Sequence, residues 1–260
     1  MEGLYHDELK IYRGEDIKIN DGITIHQPTL GEICDYGENE YYSMVHLVTS
    51  SPTDMNWQLD KMNIDYTKIT DFELFSTIII HFLDVESTKI IFGDLDFSAF
   101  ELKKKSEDSD ERFLYDEEND IIIDEYTYML IAEILRKIHG LKHNVEIPAN
   151  ERTKKILIED AREQYLINKN KELHSQLLNL ISAMTNSSGF KYNHDEVWGV
   201  KINAFMDSVL RVQKIKNANL LLQSGYSGFG IDLKKLNDKS QLDWLGSLSK
   251  WGCFLLLKKD

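Results

Sequence analysis

The chain has 260 residues, 42% of them apolar, with a formal net charge of −14 at pH 7 and a sequence isoelectric point near 5.0. That apolar share, with only three prolines, excludes a disordered or proline-rich chain, and the length suits one large domain or two small ones. The acidic balance disfavours nucleic acid as a partner, because such binding rests on neutralising phosphates. Cys34 and Cys253, far apart, form neither a disulfide framework nor a zinc pattern and suit a reducing cytoplasm.

The opening "MEGLYHDELK" has no basic or apolar leader region, so no secretory signal is expected. "IKINDGITIH" (Ile17–His26) sets Asp21-Gly22 between two β-branched runs, which predicts a hairpin with a type I′ turn. Thr29 and Glu32 then have capping-box spacing, so a short helix follows, broken near Gly37, with a second through "NEYYSMVHLV". Ser51 and Pro52 predict a further helix start, and Thr70 with Glu73 repeats the capping-box spacing. The longest apolar stretch, Leu74–Leu83, is interrupted by Ser76, Thr77 and His81. It is too short for the ~20 residues of a membrane span, so no membrane partner is expected.

"TKIIFGD", "AFELKKK", "RFLYD" and "DIIID" read as short β-strands, with the acidic loop Ser106–Glu111 between the second and third. Beyond Asp124 the pattern is helical. Tyr128, Ile131, Leu135 and Ile138 form a buried stripe that Gly140 ends. A boundary near "EIPANERT", with Asn150 as a cap, divides a mixed α/β region (1–148) from a mainly helical region (149–260), and the two are allowed to pack as one domain. A charged helix runs to about Asn168, and a second helix carries Leu173, Leu177, Leu180 and Met184. Asn193 and Glu196, again at capping-box spacing, open the longest helix, with Trp198, Ile202, Phe205, Val209 and Val212 as its apolar stripe. The fold class is therefore α+β: an N-terminal β-hairpin and helices, a small antiparallel sheet and a mostly helical C-terminal part.

Several motifs bear on chemistry. "LLLQSGYSGFGIDLKKL" (Leu220–Leu236) places Gly225 and Gly230 at phosphate-loop separation. Ile231 and Asp232 stand where a Walker loop needs Lys and Ser/Thr, so no nucleotide cofactor is expected. The glycines read as a shaped turn after a helix end, with Tyr226 and Phe229 as a candidate partner surface. Asp94, Glu101 and Lys103 have the order of a PD-ExK nuclease, two carboxylates for a divalent metal and a lysine for the water. An ordinary amphipathic strand explains them as well. Asp94 and Asp96 also fit a capped turn. His139 and His143 have metal-ligand spacing, but Gly140 lies between them and no zinc-protease glutamate is present, so no metal is expected and His139 reads as a helix-end residue facing the dipole. Lys201, Arg211, Lys214 and Lys216 read as the solvated face of the longest helix.

"PTLGEICDYGENEYYSMV", "SSPTDMNWQLDKMNIDYTKITDFELF", "IFGDLDF" and "LLLQSGYSGFGIDLKKL" spread over most of the chain. In these stretches the sequence resembles a group of phage and prophage proteins of Gram-positive bacteria. The resemblance implies a non-enzymatic product of the virion (tail) morphogenesis region, such as a tail assembly chaperone. Its partners would be other phage proteins, the tail tube or the tape measure. It would act in the host cytoplasm, with incorporation into the virion and oligomer formation both allowed. Two alternatives stand beside it: a metal-dependent nuclease on Asp94, Glu101 and Lys103, and an acidic inhibitor of a host defence protein.

Overall fold

The computed structural model describes residues 3–106, 109–169, 174–226, 239–246 and 248. Among these are ten α-helices, a two-stranded antiparallel sheet and a three-stranded antiparallel meander, an α+β fold. Helix α1 (Gly3–Arg13) precedes the hairpin β1 (Ile17–Lys18) and β2 (Thr24–Ile25). Helices α2 (Leu30–Tyr36), α3 (Glu38–Thr49), α4 (Asn56–Lys61), α5 (Asp71–Thr77) and α6 (Val85–Phe92) follow. The meander is β3 (Glu101–Lys104), β4 (Arg112–Asp116) and β5 (Ile121–Ile123). Helices α7 (Glu125–His139), α8 (Glu151–Lys169), α9 (Gln176–Thr185) and α10 (Ile202–Tyr226) complete it.

Two capping boxes start helices where the sequence places them. Thr29 caps α2 and Thr70 caps α5, each accepting from the backbone N–H of the glutamate three residues on, while that glutamate accepts from the cap N–H. Such a cap is worth about 1 kcal/mol. Thr70→Ala is expected to lower stability by that amount in urea titration with an unchanged m value, and an effect under about 0.3 kcal/mol would remove this role. Gly37, at φ 111°, separates α2 from α3, and Gly140 ends α7 in the left-handed region at φ 64°.

Two other predicted helix starts are displaced. Ser51 and Asp54 bond to each other, but they close a turn, and α4 begins at Asn56. Asn193 and Glu196 likewise frame a turn leading into a single 3₁₀ turn at Val197–Gly199, and α10 starts only at Ile202.

The run "TKIIFGD" is helical, not a strand. Asp84 and Ser87 bond reciprocally at the start of α6, and Gly93 takes φ 63° at its end. Thr88, Ile91 and Phe92, at i, i+3 and i+4, face the core. The caps and that spacing outweigh the β preference of two adjacent isoleucines. The hairpin forms without the type I′ turn, for neither Asp21 nor Gly22 has positive φ. Ile17 pairs with Ile25 and Lys18 with Thr24, leaving a three-residue loop, Asn20–Gly22. A two-residue loop at Asp21-Gly22 would instead pair Ile17 with His26. Burial of Ile17, Ile23 and Ile25 selects the observed register.

The core centres on aromatics from α5, α7 and the turn before β3. Phe75 stacks on Tyr128 at 4.5 Å and meets the edge of Phe97 at 6.1 Å, and Phe92 packs edge-on against Phe97 at 5.0 Å. Helices α9 and α10 add Leu177, Ile181, Met184, Ile202, Phe205, Val209 and Val212 to the same apolar cluster. Leu173 lies outside the described residues. The Glu38 carboxylate, at the start of α3, accepts the backbone N–H groups of Gln176 and Leu177 at 3.0 Å each, anchoring the N-terminus of α9. Helix α8 attaches through α4: Trp57 meets Tyr165 at 4.7 Å, and Lys154 pairs with Asp65 at 2.6 Å.

Candidate functional site

Asp94 is exposed on the turn after α6, so a helix and not a strand delivers it. Asp96 caps the short 3₁₀ turn Phe97–Ala99, accepting from Ser98 N–H at 2.9 Å. Glu101 and Lys103 share one face of β3, with Lys103 Nζ 3.8 Å from Glu101 and 3.4 Å from Glu117. The Lys103 ammonium also sits 4.7 Å from the Tyr115 ring centroid. Its charge is thus shared among two carboxylates and an aromatic face. Among the described residues, no group of three or more His, Cys, Asp or Glu side chains is arranged to hold a metal ion.

The two α7-end histidines part company. His139 is buried, with Nδ1 2.7 Å from Leu135 O and Nε2 2.6 Å from Tyr41 Oη. The carbonyl requires a proton on Nδ1, so Nε2 accepts from the tyrosine hydroxyl. Burial pulls His139 down to about 4, with the neighbouring His46 adding to the shift. It ends α7, as the sequence suggested, and is neutral because its ring points into the core.

His143 instead reaches Asp71, at 2.8 Å. Asp71 also faces Arg136 at 3.4 Å, and Arg136 donates to Thr49 O at 2.7 Å. Tyr128, Met129 and Leu141 help line a cleft of about 360 Å³ beside this cluster. Its geometry ties the end of α3, the start of α5 and the segment after α7 together. Farther along that segment, Asn144 O accepts from Ser51 Oγ at 2.7 Å and Asn144 Nδ2 donates to Asp54 at 2.7 Å.

Of the basic residues expected on the solvated face of the longest helix, Lys201 lies just before α10 and is half-buried, Lys216 is exposed as expected, and Arg211 and Lys214 are held by another segment of the chain. Lys214 is 3% exposed and donates to Gly246 O at 2.9 Å. Arg211 donates to Trp244 O at 2.7 Å and to Gly246 O at 3.0 Å. Together they hold residues 239–246 against α10, with Trp244 47% and Leu245 73% exposed. Carbonyl groups of a returning segment, which the sequence does not pair with these cations, take the place of water. Lys216 is exposed and donates to Ser187 Oγ at 2.8 Å. Gly225 and Tyr226 end the described part of α10, and Tyr226 is 85% exposed. Phe229, Gly228 and Gly230 lie outside the described residues.

Helix α8 carries a feature that its sequence hides under low hydrophobicity. None of its 19 residues is buried, and Ile156, Leu166 and Ile167 are about half exposed. Arg152, Ile156, Glu159, Glu163 and Ile167 fall on one helical face by their spacing of three and four, opposite the face that meets α4. That interval is the signal a search for buried stripes passes over.

No protein-family model, curated protein or solved structure matches the chain. Among the described residues no helix is long and apolar enough to cross a membrane.

Proposed function

We propose that this chain works by binding other proteins, as an assembly factor of a phage virion whose partner is a tail component such as the tail tube or tape measure. The observation that carries the binding role is the segment at Trp244 and Leu245. Arg211 and the buried Lys214 clamp its backbone, while its two large apolar side chains face solvent. A fixed backbone lowers the entropy lost when such anchors dock, and aromatic anchors dominate binding energy. The likeness of four long stretches to phage and prophage proteins supports the virion as the setting.

Tagged wild-type chain from infected cells is expected to bring down a tail component, and the double variant Trp244→Ala, Leu245→Asp to lose it. Recovery of the chain with no tail component, together with normal tails in a phage lacking the gene, would end the proposal.

A further inference from the structure

We infer that α8 is a self-association surface, on which a second copy of this chain lays its own α8 antiparallel about a two-fold axis. The inference is independent of the Trp244 and Leu245 surface. It rests on the charge order of the outer face. Along it Arg152 and Lys155 come first, and Glu159 and Glu163 follow toward the C-terminal end. All four are exposed. Arg152, Lys155 and Glu163 have no ion-pair partner among the described residues, and Glu159 meets only Arg162 on its own helix, at 3.1 Å.

The helix itself does not explain this order. Basic groups near a helix N-terminus oppose the macrodipole. Glu159 and Glu163 are like charges at i,i+4, which destabilises an isolated helix by a few tenths of a kcal/mol, and Lys155 N-terminal to Glu159 is the less favourable orientation of an i,i+4 pair. Opposite charges from a second copy offset these penalties. An antiparallel pairing with its axis between Leu157 and Ile158 sets Arg152 level with Glu163 of the second copy and Lys155 within one residue of level with Glu159 of the second copy. The two-fold axis repeats both pairs, giving a self-complementary, isologous contact. Ile156 lies within about one helical turn of the Ile156 in the second copy, a small apolar centre inside a charged rim. Ile156 thereby acquires an apolar partner that the same sequence supplies. The net charge of −14 opposes close approach of two copies, so local complementarity at this face decides the register.

The test is sedimentation velocity on the full chain over a concentration series, with two charge-reversal variants. Arg152→Glu with Lys155→Glu is one, and Glu159→Lys with Glu163→Lys is the other. The wild type is expected to dimerise and each variant alone to self-associate at least tenfold more weakly. Mixing the two variants is expected to restore a one-to-one dimer, because the reversed charges now match across the axis. Circular dichroism of each variant checks that the exposed substitutions leave the fold intact, and Ile156→Glu provides a further disruption of the same contact. A wild type that stays monomeric up to about 100 μM overturns the inference. So does a dimer that both charge reversals and Ile156→Glu leave unchanged, or one that mixing fails to restore. Loss of tail binding with the dimer intact counts against the partner proposal alone.

Discussion

Replacing Phe75 with alanine is expected to cost about 3–5 kcal/mol, a large share of the ~5–15 kcal/mol that holds a domain folded. Phe75 is fully buried and joins three parts of the chain. It sits on α5, stacks on Tyr128 of α7 at 4.5 Å, and meets Phe97 of the turn before β3 at 6.1 Å. Truncation removes both ring contacts and leaves a cavity whose walls are rigid aromatics, with little freedom to collapse. Phe75→Leu keeps most of the volume and is expected to cost about half as much. The measurement is equilibrium urea unfolding followed by tryptophan fluorescence and circular dichroism. A loss under about 1.5 kcal/mol for Phe75→Ala would show that this cluster is not the centre of the core. Glu101→Ala, on the exposed face of β3, provides the contrast, with an expected change within about 0.5 kcal/mol.

The same residues show what was legible from sequence. Local signals were sufficient at several helix ends. Thr29, Thr70, Gly37 and Gly140 mark helix ends at the positions read from the sequence. Spacing also located the stripe of α7, and β-prone runs located β3, β4 and β5. Several failures share one cause, a long-range partner. The hairpin register follows from which isoleucines the core buries, and not from the turn preference of Asp21-Gly22. Lys214 reads as solvated until the carbonyl of Gly246, 32 residues on, is brought to it. His139 reads only as a helix-end residue until Tyr41, 98 residues earlier, closes over it. The functional positions divide the same way. Glu101 and Lys103 share a face, as the alternation of a strand requires, but Glu117 and Tyr115 draw Lys103 into a cross-strand cluster. The α8 surface was missed because its information lies in the order of charges around a mostly polar helix.

Acid is expected to destabilise the chain before its carboxylates titrate, through His139. The ring is fully buried, and protonating Nε2 would place a charge among apolar groups and break the hydrogen bond from Tyr41. Burial therefore draws His139 from an ordinary value of 6.5 to about 4. His46, whose pKa burial also lowers and which Asp54 pulls back only in part, adds like-charge repulsion if both rings protonate. Because the folded state resists a proton that the unfolded chain accepts, the unfolded state binds more protons between these two values. Stability is then complete above about pH 6.5, falls as pH drops through the unfolded value, and levels off below about pH 4. The shift corresponds to about 3 kcal/mol over that window. Asp65, which Lys154 holds well below the usual carboxylate range, acts in the same direction only as pH falls below its unfolded value near 3.8. The two contributions therefore separate on the pH axis. Urea unfolding at pH 7.5, 5.5 and 4.5 is expected to give a falling midpoint for wild type. In His139→Gln, whose amide can still accept from Tyr41 but cannot titrate, the starting stability is lower and the slope between pH 6.5 and 4.5 is shallower by nearly one proton. Equal slopes in the two proteins would place the acid sensitivity elsewhere.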